Sequence, residues 1–281
     1  MNNKYGTLYL CPTPIGNLED MTFRAISTLK MVDLIAAEDT RHTLKLLNHF
    51  DIKTPLTSYY EHNKRDKGNI LLDKLMQGEN IALVSDAGTP AISDPGEDLV
   101  KLCIENDIEV VALPGATALI TALTASGLPT GRFAFEGFLT VNKKNRKIHL
   151  ESVKNDARTL IFYEAPHKLK STLSDMLDVL GDREIVIARE LTKKFEEINR
   201  TTIAEAVEKY KETTPKGEFV LVINGADEVE VEIEEVDIEN ELKMLINQGL
   251  SGNDAAKIIA KQYNLQKREV YAIFLEISNN S

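Results

Sequence analysis

Five short segments of this 281-residue chain group residue types that can do chemistry. The most distinctive is VSDAGTPAISDPG, Val84 to Gly96, directly after the apolar run Ile81 to Val84. A turn at the carboxyl end of a strand exposes backbone N–H groups, and its glycines let a ligand approach closely. Asp86 and Asp94 are therefore candidate ligand contacts, since carboxylates bind ribose hydroxyls or an amine or cap the following helix, and Asp94 reads as the turn that starts the helix after Pro95. A second turn, CPTPIGNLEDMT, follows the first apolar run. It lacks the G-x-G-x-x-G spacing and its prolines deny N–H groups to a pyrophosphate, which argues against ordinary dinucleotide binding. A third, ALPGATALI, puts Thr117 and Ala118 at a helix N-terminus, whose free N–H groups suit a carboxylate or an adenine edge. AAEDTRHT brings Glu38, Asp39, Arg41 and His42 together, either as reactive groups or as the cap and solvent face of a helix. FYEAPHKL adds Tyr163, Glu164 and His167, with Glu164 either bordering a ligand or capping the helix that starts near Pro166.

The elements that must position these turns follow from periodicity. Thr7 to Cys11, Leu34 to Ala37, Ile81 to Val84 and Glu109 to Leu113 read as strands. Between them lie helical patterns: Thr22 to Met31, with Phe23, Ile26 and Leu29 inward and Asp20 as cap; Leu44, Leu47 and Phe50; Ile70, Leu71 and Leu75, stopped by Gly78; and Leu99, Val100, Cys103 and Ile104. This alternation predicts a mostly parallel sheet covered by helices. A helix from about Thr117 to Ser126 closes at Gly127. The alternation then restarts, with strands at 133–138, 159–163, 184–188, 198–202 and 218–223. Two amphipathic helices accompany them, one carrying Leu169, Leu173, Met176 and Leu180 up to Gly181 and one carrying Ile203, Ala206, Val207 and Tyr210. The fold class is α/β, with an N-terminal α/β domain over 1–115, a second over 116–226, an acidic linker over 227–237 and a helix-turn-helix-like tail over 238–281. In the tail Ser251 and Asp254 match a capping box ahead of Ala255, and Asn264 separates this helix from the next. The two helices are either a nucleic-acid contact or a pair docked elsewhere.

Composition narrows the partners. Cys11 and Cys103 sit in apolar runs without metal-ligand spacing and read as core. No Walker A, H-E-x-x-H, G-x-S-x-G or paired CxxC motif occurs, so no metal site is expected. Apolar runs are too short to span a bilayer and no signal-peptide pattern opens the chain, so a cytoplasmic location and no membrane partner are expected. The chain carries 33 Lys+Arg against 44 Asp+Glu, for a net charge of −11, yet nine of the acids fall within residues 227–241. The rest is nearly neutral. Its densest basic group is Lys143, Lys144, Arg146, Lys147, Lys154 and Arg158, either a solvated face or a phosphate-binding one.

The strings TPIGNLEDMTFRAISTLKMVDLIAAEDTRHTLKLLNHF, SDAGTPAISDPG, PGATALITALTASGLPT and FYEAPHKL, in this order, resemble the bacterial ribosomal RNA small subunit methyltransferase I family, within the tetrapyrrole methylase superfamily. The likeness runs from about Leu8 to Ile223 and extends to the helical tail. It implies two α/β domains with S-adenosylmethionine in the cleft between them, a homodimer, and 2′-O-methylation of a cytidine in the decoding region of 16S ribosomal RNA or of the 30S subunit. It places the superfamily's cofactor turns on Ser85, Asp86 and Ala87 and on Pro114 to Ala118, with Pro14, Thr89, Tyr163 and Glu164 as further cofactor contacts. The first turn, Thr13-Pro14-Ile15-Gly16-Asn17, departs from the glycine-rich turn of the tetrapyrrole enzymes, which speaks against a tetrapyrrole substrate. In this setting Asp39 or Glu38 would accept or orient the ribose hydroxyl and Arg41 would pair with a phosphate. Lys143, Lys144, Arg146 and Lys147 would supply RNA affinity. The alternatives are a tetrapyrrole-precursor methyltransferase and a non-catalytic RNA-binding regulatory module.

Overall fold

The computed structural model describes residues 5–227, 238–263 and 265–279, and the chain divides after Ala226 into two compact units. The acidic stretch 228–237 and Asn264, expected as linker and helix separator, lie outside the described residues.

The first unit contains two five-stranded sheets. Strands β1 (Thr7–Leu10), β2 (Leu34–Ala37), β3 (Leu56–Ser58), β4 (Ile81–Val84) and β5 (Glu109–Ala112) run in the order β3-β2-β4-β1-β5, all parallel. Helices α1 (Phe23–Met31), α2 (Thr40–His49), α3 (Lys64–Met76) and α4 (Gly96–Glu105) cover both faces. Every residue of β4 is buried. Its side chains alternate between two cores: Ile81 and Leu83 pack with Leu71, Leu75 and Leu99, while Ala82 and Val84 pack with Leu29, Ile35 and Leu47. Cys11 and Cys103 are free and buried, and burial pushes their thiols up to about 12 and about 11.

Two expectations for α1 fail. Phe23 is 91% exposed, because the buried stripe of this helix is Ala25, Thr28 and Leu29. Thr22, not Asp20, caps it, its hydroxyl accepting from the Ala25 N–H at 3.0 Å. Strand β3 went unread because three residues carry too little periodicity.

The second sheet is built from β6 (Phe133–Phe138), β7 (Thr159–Glu164), β8 (Glu184–Arg189), β9 (Glu197–Thr202) and β10 (Phe219–Ile223), in the order β6-β7-β10-β8-β9. Only β6 and β7 pair in parallel; the other pairings are antiparallel, which alternation alone does not specify. Helix α5 (Ala118–Ser126) packs on one face through Leu119, Ala122 and Leu123, joined there by Ile15 from the turn after β1. The opposite face carries α6 (Lys143–Ser152), α7 (Leu169–Leu180) and α8 (Ile203–Glu212), around Leu150, Phe162, Leu173 and Met176.

Between α6 and α7 lies a buried ion pair. Arg146 is 4% exposed, and its Nε and Nη2 donate to Asp175 Oδ2 at 2.9 and 2.6 Å. Its Nη1 donates to the carbonyls of Thr140 and Val141, both at 3.1 Å. Arg146 is therefore removed from the expected phosphate-binding group: its guanidinium is spent inside the fold. Lys143 stays exposed, and Lys147 bridges Asp178 at 2.9 Å.

In the second unit α9 (Ile238–Asn247), α10 (Gly252–Gln262) and α11 (Lys267–Asn279) surround Leu242, Ala255, Ala256, Ile259 and Val270. Among its described residues the tail thus holds three helices. Ser251 caps α10 by accepting from the Asp254 N–H at 3.2 Å, but its hydroxyl donates to the Asp254 carboxylate at 2.6 Å, so half of the expected capping box is replaced.

Removing one partner of a buried pair strands the other charge. Asp175→Ala is expected to destabilise the protein by about 3–5 kcal/mol in urea denaturation. The double variant Arg146→Met, Asp175→Leu should recover most of that loss.

Candidate active site

Three turns at the carboxyl ends of β1, β4 and β5 are tied together by hydrogen bonds. Thr13 and Gly88 exchange both backbone bonds, at 2.9 and 3.0 Å. The Thr13 hydroxyl donates to the Ser85 carbonyl at 3.2 Å, and that of Thr89 to the Ala116 carbonyl at 2.9 Å. Tyr59, fully buried, donates to the Pro95 carbonyl at 3.1 Å and anchors the far end of the middle turn.

The middle turn is strained and braced. Ala91 and Ser93 hold positive φ of 69° and 63°, conformations that cost of order 1 kcal/mol or more each for residues with a Cβ. Asp94 Oδ1 stabilises them by accepting from the Ala91 N–H at 2.9 Å and the Gly96 N–H at 2.8 Å, the role expected of it at the start of α4. A Cβ at Gly96 would sit 2.7 Å from that oxygen and 2.9 Å from the Ala91 nitrogen, so only glycine leaves room for the brace.

These turns form one wall of a cavity of about 520 Å³, within the range that holds cofactors. Ser85 to Thr89, Ile92 to Asp94, Glu38 and Ile15 line it from the side of the first sheet. Thr117, Ala118, Phe138, Tyr163 to Pro166 and residues of β8 and β10 line it from the second. The Leu119 N–H donates to the Tyr163 hydroxyl at 3.1 Å, pinning the start of α5 to β7. Burial pushes the Tyr163 phenol up, against the Leu119 and Thr117 hydrogen bonds.

The cavity is electronegative. Burial first, then the charges of Asp86 and Asp94, raise the Glu38 pKa from its ordinary value, opposed by the Asp86 N–H that it accepts. Among the described residues none of the three forms an ion pair within 4.0 Å, nor do they converge as a metal-ligand set. Lys193 on the opposite wall is already held by Glu190 and Glu218 at 2.9 and 2.8 Å. The donor set fits a ligand with a cationic centre, hydroxyl groups and an apolar ring.

Of the residues singled out in the sequence, Glu38, Ser85, Asp86, Thr89, Thr117, Ala118, Tyr163 and Glu164 line the cavity. Pro14 does not; its neighbour Ile15 does. Asp39 and Arg41 do not either. Asp39 caps α2, accepting from the Arg41 N–H at 2.8 Å, while its carboxylate grips the Arg41 side chain, which is 89% exposed. The Arg41 side-chain bond holds the Asp39 carboxyl well below its ordinary range. What Asp39 offers the site is its N–H, donated to Asp86 Oδ1 at 3.0 Å. Glu164 is a wall whose charge is spent on Lys168 at 2.9 Å and on the Thr172 hydroxyl at 2.5 Å. His167 is exposed and outside the lining. Phe138, Lys193 and Glu218 were missed; the fold brings them in from distant stretches, and no local spacing marks them.

A carboxyl whose folded pKa is raised contributes stability below its ordinary pKa and loses it as pH rises through the raised value. Glu38→Gln is therefore expected to raise the melting temperature of the free protein at pH 7. At pH 4 the two proteins should melt together in calorimetric scans.

Residues 7–207 match the family described as Tetrapyrrole (Corrin/Porphyrin) Methylases. The chain is 52% identical over 274 residues to a Synechocystis sp. protein named "Ribosomal RNA small subunit methyltransferase I", covering 97% of this chain and 98% of that one. It is 55% identical to the protein of the same name from Halalkalibacterium halodurans, over 96% and 94%. Among solved structures, uroporphyrin-III C-methyltransferase from Thermus thermophilus complexed with S-adenyl homocysteine aligns with a TM-score of 0.55 at 20% identity, over 77% of this chain and 97% of that one. That likeness is one of fold. With relatives this similar over nearly the whole chain, the protein belongs to the ribosomal RNA small subunit methyltransferase I family, a methyltransferase branch of the tetrapyrrole methylase superfamily.

Proposed function

We propose that the protein methylates the 2′-hydroxyl of a cytidine in the decoding region of 16S ribosomal RNA, as RNA or within the 30S subunit, with S-adenosylmethionine as methyl donor. The observation that carries this reading is the cavity with three unpaired carboxylates at the tied turns. S-adenosylmethionine matches its chemistry: the carboxylates complement a sulfonium and an ammonium, and the apolar walls suit adenine. Asp86, Thr89, Thr117, Ala118 and Tyr163 would hold it. Two findings support the donor and acceptor: the related fold solved with S-adenyl homocysteine, and the small-subunit ribosomal RNA in the relatives' names. In this reading 1–115 and 116–226 are the two domains flanking the cleft, 227–237 is a linker and 238–281 a helix-turn-helix-like appendage. The resemblance supports a homodimer working in the cytoplasm; among the described residues no helix is long and apolar enough to cross a membrane.

The bound donor supplies an electrophilic methyl carbon on a sulfonium, with a neutral thioether as leaving group. The chain's share is alignment and exclusion of water. Glu38 would accept the proton that the 2′-hydroxyl gives up on methylation. Its raised pKa suits a proton acceptor better than that of Asp39, whose carboxylate is bound to Arg41. Lys143 and Lys144 open α6 with positive charge, against the helix dipole, which favours an anionic partner there. They and Lys147 are the RNA contacts that remain from the basic group.

Incubating the protein with labelled S-adenosylmethionine and 30S particles should place label on a ribose 2′-oxygen of one cytidine. Label on a base, or none on RNA, overturns the reading. Glu38→Gln should lower single-turnover methylation about 100-fold and remove the acidic limb of the pH–rate profile. Lys143→Glu with Lys144→Glu should weaken 30S binding about tenfold and flatten its salt dependence by one to two phosphates, that is by about 0.7–0.9 per phosphate in log–log slope.

A further inference from the structure

We propose that Phe138 is the platform on which the target nucleobase stacks; the inference rests on the RNA methylation reading above. The register of β6 against β7 shifts between Phe135 and Gly137, so Glu136 is an extra residue and the strand bulges. In an unbroken strand Phe135 and Phe138, three apart, point to opposite faces. The bulge brings them to the same face, opposite Ile161 and Tyr163, and both rings meet the Tyr163 ring edge-on, at 4.8 and 5.4 Å. Gly137 makes this possible with φ of 65°, where a side chain would be strained. The result is a large apolar ring in the cavity wall that nevertheless remains 52% exposed.

The segment beyond it is held rigidly. The carbonyls of Leu139, Thr140 and Val141 accept, in turn, from Lys168 Nζ at 2.8 Å and from Arg146 Nη1 at 3.1 Å twice. The same Lys168 ammonium lies 5.5 Å from the centroid of the Phe138 ring. An exposed aromatic ring on a backbone fixed by buried cations loses little entropy when something flat covers it. Proteins recognise unpaired RNA bases in this manner, by stacking them on aromatic side chains. The occupant is the base of the nucleotide being methylated: Phe138 sits at the cavity, and the exposed Lys143 follows five residues later to meet the neighbouring phosphate.

The test assays Phe138→Leu and Phe138→Tyr with 30S particles at saturating S-adenosylmethionine, together with calorimetric affinity for S-adenosylmethionine and melting temperature. Phe138→Leu is expected to raise KM for 30S about tenfold, with kcat, donor affinity and melting temperature close to wild type. Phe138→Tyr should restore KM. An unchanged KM in Phe138→Leu overturns the inference, and so does a loss of donor affinity with KM intact, which would place the ring against the cofactor. Wild-type protein that methylates no ribosomal RNA overturns the functional reading, and this inference with it.

Discussion

The hydrogen-bond seam among the turns after β1, β4 and β5 is the constraint on which the rest of this molecule depends. A parallel sheet brings all its carboxyl ends to one edge, but it leaves the loops there free to splay. Here Thr13, Gly88, Thr89 and Ala116 close them onto one another. The seam reaches beyond the first sheet. Ala116 leads straight into α5, whose apolar face packs on the second sheet, and Ile15 from the first turn joins that same cluster. The bonds that shape one wall of the cavity therefore also set its distance from the other.

Within this frame, the Glu38 charge is placed where burial and its acidic neighbours oppose it. Glu38, Asp86 and Asp94 face the same space without cations, while other carboxylates in the second half, Glu164, Asp175 and Glu218, are each paired with a lysine or arginine. The pairing elsewhere shows that the fold does not lack cations. Leaving three carboxylates unpaired in a cleft makes sense when the balancing charge arrives with a ligand, a common trade of stability for function.

Much of the scaffold was legible in the sequence because its signals are long or chemically strict. The continuous apolar run of β4, the stripe ending at Gly181 in α7 and the glycine- and proline-rich turns each leave few alternatives. The errors have local physical causes. Phe23 is apolar but lies at the first position of its helix, off the buried stripe. Asp39 carries the right chemistry for a proton acceptor, yet a cap two residues long and a neighbouring guanidinium claim it first. Arg146 looks like its basic neighbours until the packing of α6 on α7 buries it against Asp175. Phe138 enters the site through the pairing of β6 with β7, and Lys193 and Glu218 from the segments flanking β8 and β10, which no local window displays.

The tripeptide Pro12-Thr13-Pro14 contains a single backbone donor, the Thr13 N–H, and the seam consumes it. A nucleotide phosphate entering the cavity would meet no free amide from these three residues and would face three carboxylates instead. Adenosine di- and triphosphate share their adenosine half with the proposed donor. In this protein the hydrogen bond that builds the scaffold also leaves the first turn without a free backbone donor for an anion.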